Sequence, residues 1–91
     1  MPLFEWRQIH QSDQLEIVHL SIEPGGTMES HTMPMDVLFG VLEGTGILSV
    51  NDIRYLLHTD ELIEVPKAAM RYWRNEADFP LQILVVKSMS I

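Results

Sequence analysis

The chain has 91 residues, of which 46% are hydrophobic, so we expect one folded domain spanning residues 1–91 rather than a disordered segment. Thirteen acidic residues against six basic ones give a formal net charge of −7 at pH 7, which argues against nucleic acids and anionic membranes as partners. The absence of cysteine excludes disulfides and thiolate-ligated metal sites. No signal peptide or membrane-length apolar stretch is visible, and we expect a cytoplasmic location.

The sequence pattern is that of β structure throughout. Short apolar or alternating runs, each closed by turn residues, recur at the spacing of an all-β sandwich or barrel. The predicted strands are Phe4–Ile9, Leu15–Ile22, Val37–Leu42, Ile47–Val50, Ile53–Leu57, Leu62–Val65, Arg71–Asn75 and Leu81–Lys87, with a further short segment around Ser30–Met33. Asn51 and Asp52 separate two of these strands and suit a two-residue hairpin, because both residue types tolerate positive φ.

Two strands indicate how the sheets are covered. In Leu15–Ile22 the apolar residues alternate from Val18 onward, so one face of the strand belongs to the core and the other is at least partly exposed to solvent. Leu81–Lys87 instead contains a consecutive apolar run from Ile83 to Val86, and a strand that is apolar on both faces is covered on both faces. Because the chain is small, we expect a second subunit to cover the second face of this strand.

Two groups of spaced residues stand out, with Gly25, His31 and Gly44 in the first and Pro66 and Asn75 in the second. They resemble the two motifs of the cupin family, a small β-barrel of the jelly-roll kind. The resemblance runs from about Leu15 to Lys87 and implies an all-β fold with a single small barrel. It also implies a homodimer, with the N-terminal strand at about residues 3–10 shared across the interface. Asp60 and Ala68 replace two glycines of the second motif, which we expect to affect turns rather than the fold.

The resemblance further implies a metal site of three histidines and one carboxylate, and this sequence departs from it. In this register the four ligand positions hold His31, Met33, Val37 and Arg71. A single imidazole cannot hold a divalent ion, and a guanidinium keeps its charge and would repel a cation. We therefore predict that the protein uses no metal cofactor, and His31 is the only retained ligand position.

Two alternatives keep a metal site open. Asp36 lies one residue before the carboxylate position, and a β-bulge could turn its side chain inward. His31 and Met33 could instead hold soft Cu(I), together with Met28 or Met35.

The barrel interior is predicted to be a ligand pocket. If the motif register holds, strand alternation turns a set of side chains inward: His31, Met33, Val37, Phe39, Arg71, Trp73 and Asn75. Apolar walls with a few polar groups are typical of small-molecule sites, and a buried guanidinium needs an anionic partner. We expect Arg71 to clamp a small anionic or carboxylate-bearing ligand, with Trp73 as a stacking face. Alternatively, Arg71 reaches the barrel mouth and pairs with Glu29, Asp36 or Glu64.

Three functions remain open from the sequence. The first is ligand binding or regulation in a barrel without the usual metal. The second is an enzyme, either a metal-independent isomerase or lyase or a dioxygenase-like protein with a rearranged metal site. In that case His31 would be the acid/base or surviving ligand, and Arg71 would hold a substrate carboxylate. The third is a structural or regulatory dimerisation module with a filled barrel. An open cavity faced by Arg71 and His31 would favour binding or catalysis.

Overall fold

Eight β-strands build the described part of the chain, residues 3–28 and 31–89 of a computed structural model, and these residues include no helix. The strands are β1 (Phe4–Gln11), β2 (Leu15–Ile22), β3 (Val37–Glu43), β4 (Thr45–Val50), β5 (Ile53–His58), β6 (Leu62–Val65), β7 (Arg71–Arg74) and β8 (Leu81–Ser88). The predicted all-β class is confirmed, and each of the eight main predicted strands is found, with its ends shifted by about a residue or two. Within the described residues, no helix is available to cross a membrane.

The strands form two antiparallel sheets with the core between them. The larger sheet has five strands in the order β1-β2-β8-β3-β6, and the smaller has three in the order β5-β4-β7. In the larger sheet, Val85 of β8 lies opposite both Val18 of β2 and Phe39 of β3. In the smaller sheet, Leu48 of β4 lies opposite Trp73 of β7. This two-sheet arrangement is that of a small jelly-roll barrel.

Alternate residues of the strands supply a single apolar core, as predicted for β2. The buried apolar residues are Val18, Leu20, Ile22, Val37, Phe39, Val41, Leu48, Leu57, Val65, Ala69, Trp73, Leu81, Ile83 and Val85. Burying a Val, Leu, Ile or Phe side chain contributes about 1.5–3 kcal/mol each, which opposes the entropy cost of ordering the chain. The core also contains three buried polar or charged residues, namely Ser49, Arg71 and Asn75.

A glycine lets the largest core side chain lie close to its neighbouring strand. A Cβ at Gly46 of β4 would collide with Leu81 Cδ2 and lie 3.0 Å from Cζ3 of Trp73. The indole therefore packs directly against the β4 backbone. Its other contact is with Phe39 of β3, whose ring centre is 5.5 Å away at an interplanar angle of 83°. This edge-to-face pair connects the two sheets.

Among the described residues, four that are not glycine adopt left-handed backbone conformations at turns. Asn51 and Asp52 have φ angles of 48° and 71°, so the predicted two-residue hairpin between β4 and β5 is confirmed. Asp60 and Ala68 have φ angles of 72° and 68°. These are the two positions where the resemblance expects glycine, so the turns keep the glycine-like conformation with L-residues.

The outer face of the larger sheet is apolar near its centre. Val86 of β8 lies opposite Ile17 of β2 and Leu38 of β3, and all three side chains point away from the core. In the next row of this face, Leu84 of β8 is half-buried and Leu62 of β6 is 67% exposed. The strand β8 is thus apolar on both faces, as predicted, and its outer face is only partly covered in one chain.

Candidate functional site

A small cavity of about 90 Å³ opens between the two sheets. It is lined by Leu20, Met28, His31, Met33, Val37, Phe39, Arg71, Tyr72, Trp73, Val85 and Lys87. The buried part of the wall is apolar and aromatic apart from Arg71, while His31 is exposed and Met28, Met33 and Lys87 are half-buried. The barrel is therefore not completely filled by its own side chains.

Six of the seven predicted pocket residues line this cavity: His31, Met33, Val37, Phe39, Arg71 and Trp73. Val37 and Phe39 come from β3, and Arg71 and Trp73 come from the same face of β7. The strand predicted around Ser30–Met33 lies partly outside the described residues, but His31 forms an isolated bridge to Arg71. A role for these residues in binding a ligand remains a prediction.

Asn75 departs from the prediction, because it does not line the cavity. Its side-chain amide donates hydrogen bonds to the carbonyl oxygens of Ile22 (2.9 Å) and Phe79 (2.8 Å), and its Oδ1 accepts one from the Ala77 amide (3.0 Å). Asn75 is buried, as alternation from Trp73 predicts, but its amide is held by Ile22 and the β7–β8 connection rather than facing the cavity. Asn75 instead anchors the connection from β7 to β8.

Arg71 is a buried cation held by backbone carbonyls. Its side chain is 1% exposed, and Nε and Nη2 each donate a 3.1 Å hydrogen bond, to Ala69 O and Pro66 O of the β6–β7 turn. Nη1 is buried and has no hydrogen-bond partner in the described part of the chain. Burial lowers the pKa of Arg71 from its ordinary value, yet a guanidinium remains protonated in proteins.

No acidic side chain among residues 3–28 and 31–89 forms an ion pair with Arg71. Asp36 Oδ1 accepts a hydrogen bond from the Lys67 amide at 2.8 Å, and Glu64 is exposed on the outer face of β6. Glu29, the third predicted partner, lies outside the described residues. The alternative in which Arg71 reaches the mouth and pairs with Asp36 or Glu64 is therefore wrong, because the guanidinium is buried and both carboxylates lie elsewhere.

Trp73, which also lines the cavity, carries a second unpartnered donor in the protein interior. Its Nε1 is buried and makes no hydrogen bond within the described residues. The opposite edge of the indole, at Cε3 and Cζ3, faces Gly46, so Nε1 lies on the edge away from β4. Leaving a buried donor unsatisfied costs about 1–3 kcal/mol, and more for a charged group. Arg71 and Trp73 thus provide two buried N–H donors on residues that line one cavity.

The residues at this site do not fit the divalent metal of the cupin pattern. The described residues contain no group of three or more His, Asp or Glu side chains that could hold an ion. Asp36 does not line the cavity, because its carboxylate caps the β6–β7 turn through the Lys67 amide. His31 does share the cavity with Met28 and Met33, as the copper alternative requires, but the Arg71 guanidinium lies in the same wall and opposes a cation there.

Sequence analysis missed Lys87 as a cavity residue. Its Nζ lies 3.4 Å from Glu16 Oε1 of the neighbouring strand β2. A 2.7 Å hydrogen bond from Gln8, together with the charge of Lys87, lowers the pKa of Glu16. The signal that could have found Lys87 is alternation along β8, which places it on the same face as Val85.

Two antiparallel sheets enclosing a small cavity define a barrel of the jelly-roll class. The family model described as Cupin domain matches residues 18–87, and the chain therefore belongs to this family. Similar solved structures include a conserved protein of unknown function, SPY1581 from Streptococcus pyogenes, with 20% identity and a TM-score of 0.84 over 97% of this chain and 75% of that one.

The fold likeness extends to proteins with different roles. The cupin domain of Cnp3 from Schizosaccharomyces pombe has 11% identity and a TM-score of 0.91, covering 99% of this chain and 67% of that one. The polyketide cyclase RemF from Streptomyces resistomycificus has 18% identity and a TM-score of 0.86, covering 97% of this chain and 66% of that one. None of the curated proteins matches the chain. At these identities the likeness establishes the fold alone.

Proposed function

We propose that this protein binds a small anionic or carboxylate-bearing ligand in its barrel cavity, without the metal ion of the cupin pattern. The observation that carries the proposal is the buried guanidinium of Arg71, which has no anionic partner among the described residues and leaves Nη1 without an acceptor. A carboxylate bound in the cavity beside Arg71 would neutralise this charge. The apolar remainder of the wall would contact the rest of the ligand.

The direct test is a thermal-shift and calorimetric titration with acetate, benzoate, succinate and inorganic phosphate. A ligand at 100 times its Kd should stabilise the fold by about 2.7 kcal/mol, which raises the Tm of a domain this size by roughly 10 °C or more. We expect at least one of these anions to bind, and treatment with a chelator to leave that binding unchanged. Failure of every anion to bind would overturn the proposal.

A pair of variants localises the binding. Arg71→Met removes the buried cation, whereas Arg74→Met removes an arginine on the opposite face of the same strand, where it pairs with Glu76 at 2.7 Å. We expect Arg71→Met to weaken anion binding at least tenfold, by about 1.4 kcal/mol or more, and Arg74→Met to bind as wild type does. Equal binding by both variants would contradict the assignment of Arg71.

A second candidate function is catalysis at the same cavity. His31 and Arg71 exchange two backbone hydrogen bonds of 3.0 Å, so their side chains are cross-strand neighbours. A carboxylate on Arg71 would then lie near an imidazole that could transfer protons, as an isomerase or lyase requires. Nuclear magnetic resonance of each bound acid over time tests this: turnover that is lost in His31→Gln would support an enzyme, and an unchanged ligand would support a binding protein.

We also propose that two copies of the chain associate through the outer face of the larger sheet. This interface is supported by the apolar rows that run through β8, in which Leu84 and Val86 are only half-buried. The N-terminal strand β1, expected at the interface, lies at the edge of the same sheet. Its Trp6, which is 62% exposed, lies opposite core-facing Leu20 and therefore on the inner side of this sheet.

A further inference from the structure

We infer that the cavity selects the shortest aliphatic monocarboxylates, of about one or two carbons. This inference rests on the proposed function and adds the ligand's size, charge and tail. The cavity measures about 90 Å³. A cavity of about 150 Å³ holds benzene, which has six heavy atoms, so about three to four heavy atoms fit here, as in formate or acetate. Sites for drug-sized molecules are several times larger, at about 300–1,000 Å³.

The charge balance of the wall favours a monoanion. Of the lysines and arginines in the described residues, Arg71 and Lys87 line the cavity. Lys87 already has Glu16 at 3.4 Å, whereas Arg71 has no described acidic partner. One uncommitted positive charge matches one carboxylate. A second negative charge, as in phosphate or succinate, would be desolvated against the apolar wall without a counter-charge.

The arrangement of donors and apolar groups favours a carboxylate with an aliphatic tail. Within the buried lining, Arg71 and Trp73 carry N–H donors, and Arg71 provides the positive charge that one carboxylate requires. The remaining buried lining comes from side chains without polar atoms, including Val37, Phe39 and Val85. Each methylene of the ligand that these side chains cover should strengthen binding by about fourfold. Half-buried Met33 at the cavity edge can adjust its rotamer around the tail.

The test is a calorimetric titration of the full chain with formate, acetate, propanoate, butanoate, hexanoate, succinate and inorganic phosphate. We expect acetate to bind about fourfold more tightly than formate, and affinity to fall for the longer acids butanoate and hexanoate. Succinate and phosphate should bind at least tenfold more weakly than acetate. If no anion binds, the proposed function itself fails. If anions bind but butanoate, hexanoate, succinate or phosphate equals acetate, only this inference is overturned.

Two matched variants distinguish an effect of cavity size on ligand preference from a general loss of folding stability. Val37 lines the cavity, whereas Val65 lies opposite it in the β3–β6 ladder, is equally buried and lies outside the lining. In Val37→Ala, the acid that binds most tightly should be about one carbon longer than in wild type, because the removed methyl groups enlarge the cavity. Val65→Ala should leave the optimum unchanged, although both variants lose stability. An unchanged optimum in Val37→Ala, with its fold verified by circular dichroism, would contradict the inference.

Discussion

At the scale of single residues, Arg71 holds a turn in place and also carries a buried positive charge that has no anionic partner among the described residues. Two of its guanidinium nitrogens hold the β6–β7 turn through Pro66 O and Ala69 O, while the third has no acceptor among the described residues. Removing a buried charge often costs little stability, because the desolvation penalty disappears with it. This balance favours the proposed ligand-binding role of Arg71 over a purely structural one.

This reasoning predicts the stability of Arg71→Met. The substitution loses two hydrogen bonds to carbonyls, at about 1 kcal/mol each. It also removes the desolvation penalty of a buried, unpaired cation, which offsets this loss. The free energy of unfolding without ligand should change by less than about 1 kcal/mol. Urea denaturation measures it, and a loss of more than about 3 kcal/mol would show that Arg71 is chiefly structural.

A second prediction concerns Ala68, whose φ of 68° is strained for an L-residue. Its amide donates a 2.9 Å hydrogen bond to Met33 O, which holds the turn in this conformation. Ala68→Gly should raise the free energy of unfolding by about 0.5–1 kcal/mol, because glycine adopts positive φ without a Cβ clash. The neighbouring Ala69→Gly, at a residue without positive φ, should instead destabilise the protein. Equal effects of the two changes on the urea midpoint would refute the explanation.

At the scale of elements, the pairing of β2 with β8 determines which charged groups meet at the cavity edge. Their register places Glu16 directly opposite Lys87. Because both side chains are largely shielded from water, at 18% and 22% exposed, this pair is screened less than a surface ion pair. The ladder thus brings together two residues that are 71 positions apart in the chain.

The lowered pKa of Glu16 predicts a pH dependence of stability. Its folded pKa lies below the ordinary value of 4.5, so the carboxylate stabilises the fold above about pH 4.5. That contribution is lost as the pH falls through the lower folded value. Glu16→Gln should therefore reduce stability at neutral pH and lose less stability than wild type on acidification.

Urea unfolding at about pH 7 and about pH 3 measures this difference. The control is Glu64→Gln on the outer face of β6, where the carboxylate has no described ion pair. This variant should follow the wild-type pH profile. A Glu16→Gln profile parallel to wild type would show that Glu16 does not contribute through its charge.

At the scale of the whole molecule, the two sheets differ in width, and the five-stranded sheet has an apolar outer face. The rows of this face include Leu38 and Val86, which lie opposite each other in the β3–β8 ladder. A second copy of the chain could bury these rows against its own equivalent face, since a two-fold interface uses the same patch twice. This would give β8 the cover on both faces that its sequence requires.

The association predicts a sedimentation mass of twice 10.5 kDa. Leu38→Lys places a charge in the proposed interface and should yield a monomer of about 10.5 kDa without unfolding, because Leu38 points away from the core. The control is Leu56→Lys, on the outer face of the smaller sheet, which should leave the dimer intact. A wild-type mass near 10.5 kDa, or a dimer in Leu38→Lys, would contradict this interface.

The sequence by itself determined the features that depend on neighbouring residues. Alternation of apolar side chains located the eight strands and the inward face of β2, and Asn51-Asp52 predicted its hairpin. These succeed because strand geometry has a period of two residues and certain residue types tolerate positive φ. The inward direction of Arg71 and Trp73 followed from alternation together with the register that the resemblance to the cupin motifs implies.

Only the tertiary structure decided features that depend on residues distant in the chain. The capping role of Asp36, the anchoring role of Asn75 and the place of Lys87 beside Glu16 each involve groups brought together by strand pairing or turn packing. The same holds for the single Arg71 nitrogen without a partner and for the size of the cavity. Hydrogen-bond partners and unfilled volume result from how two sheets pack, and no local pattern specifies that packing.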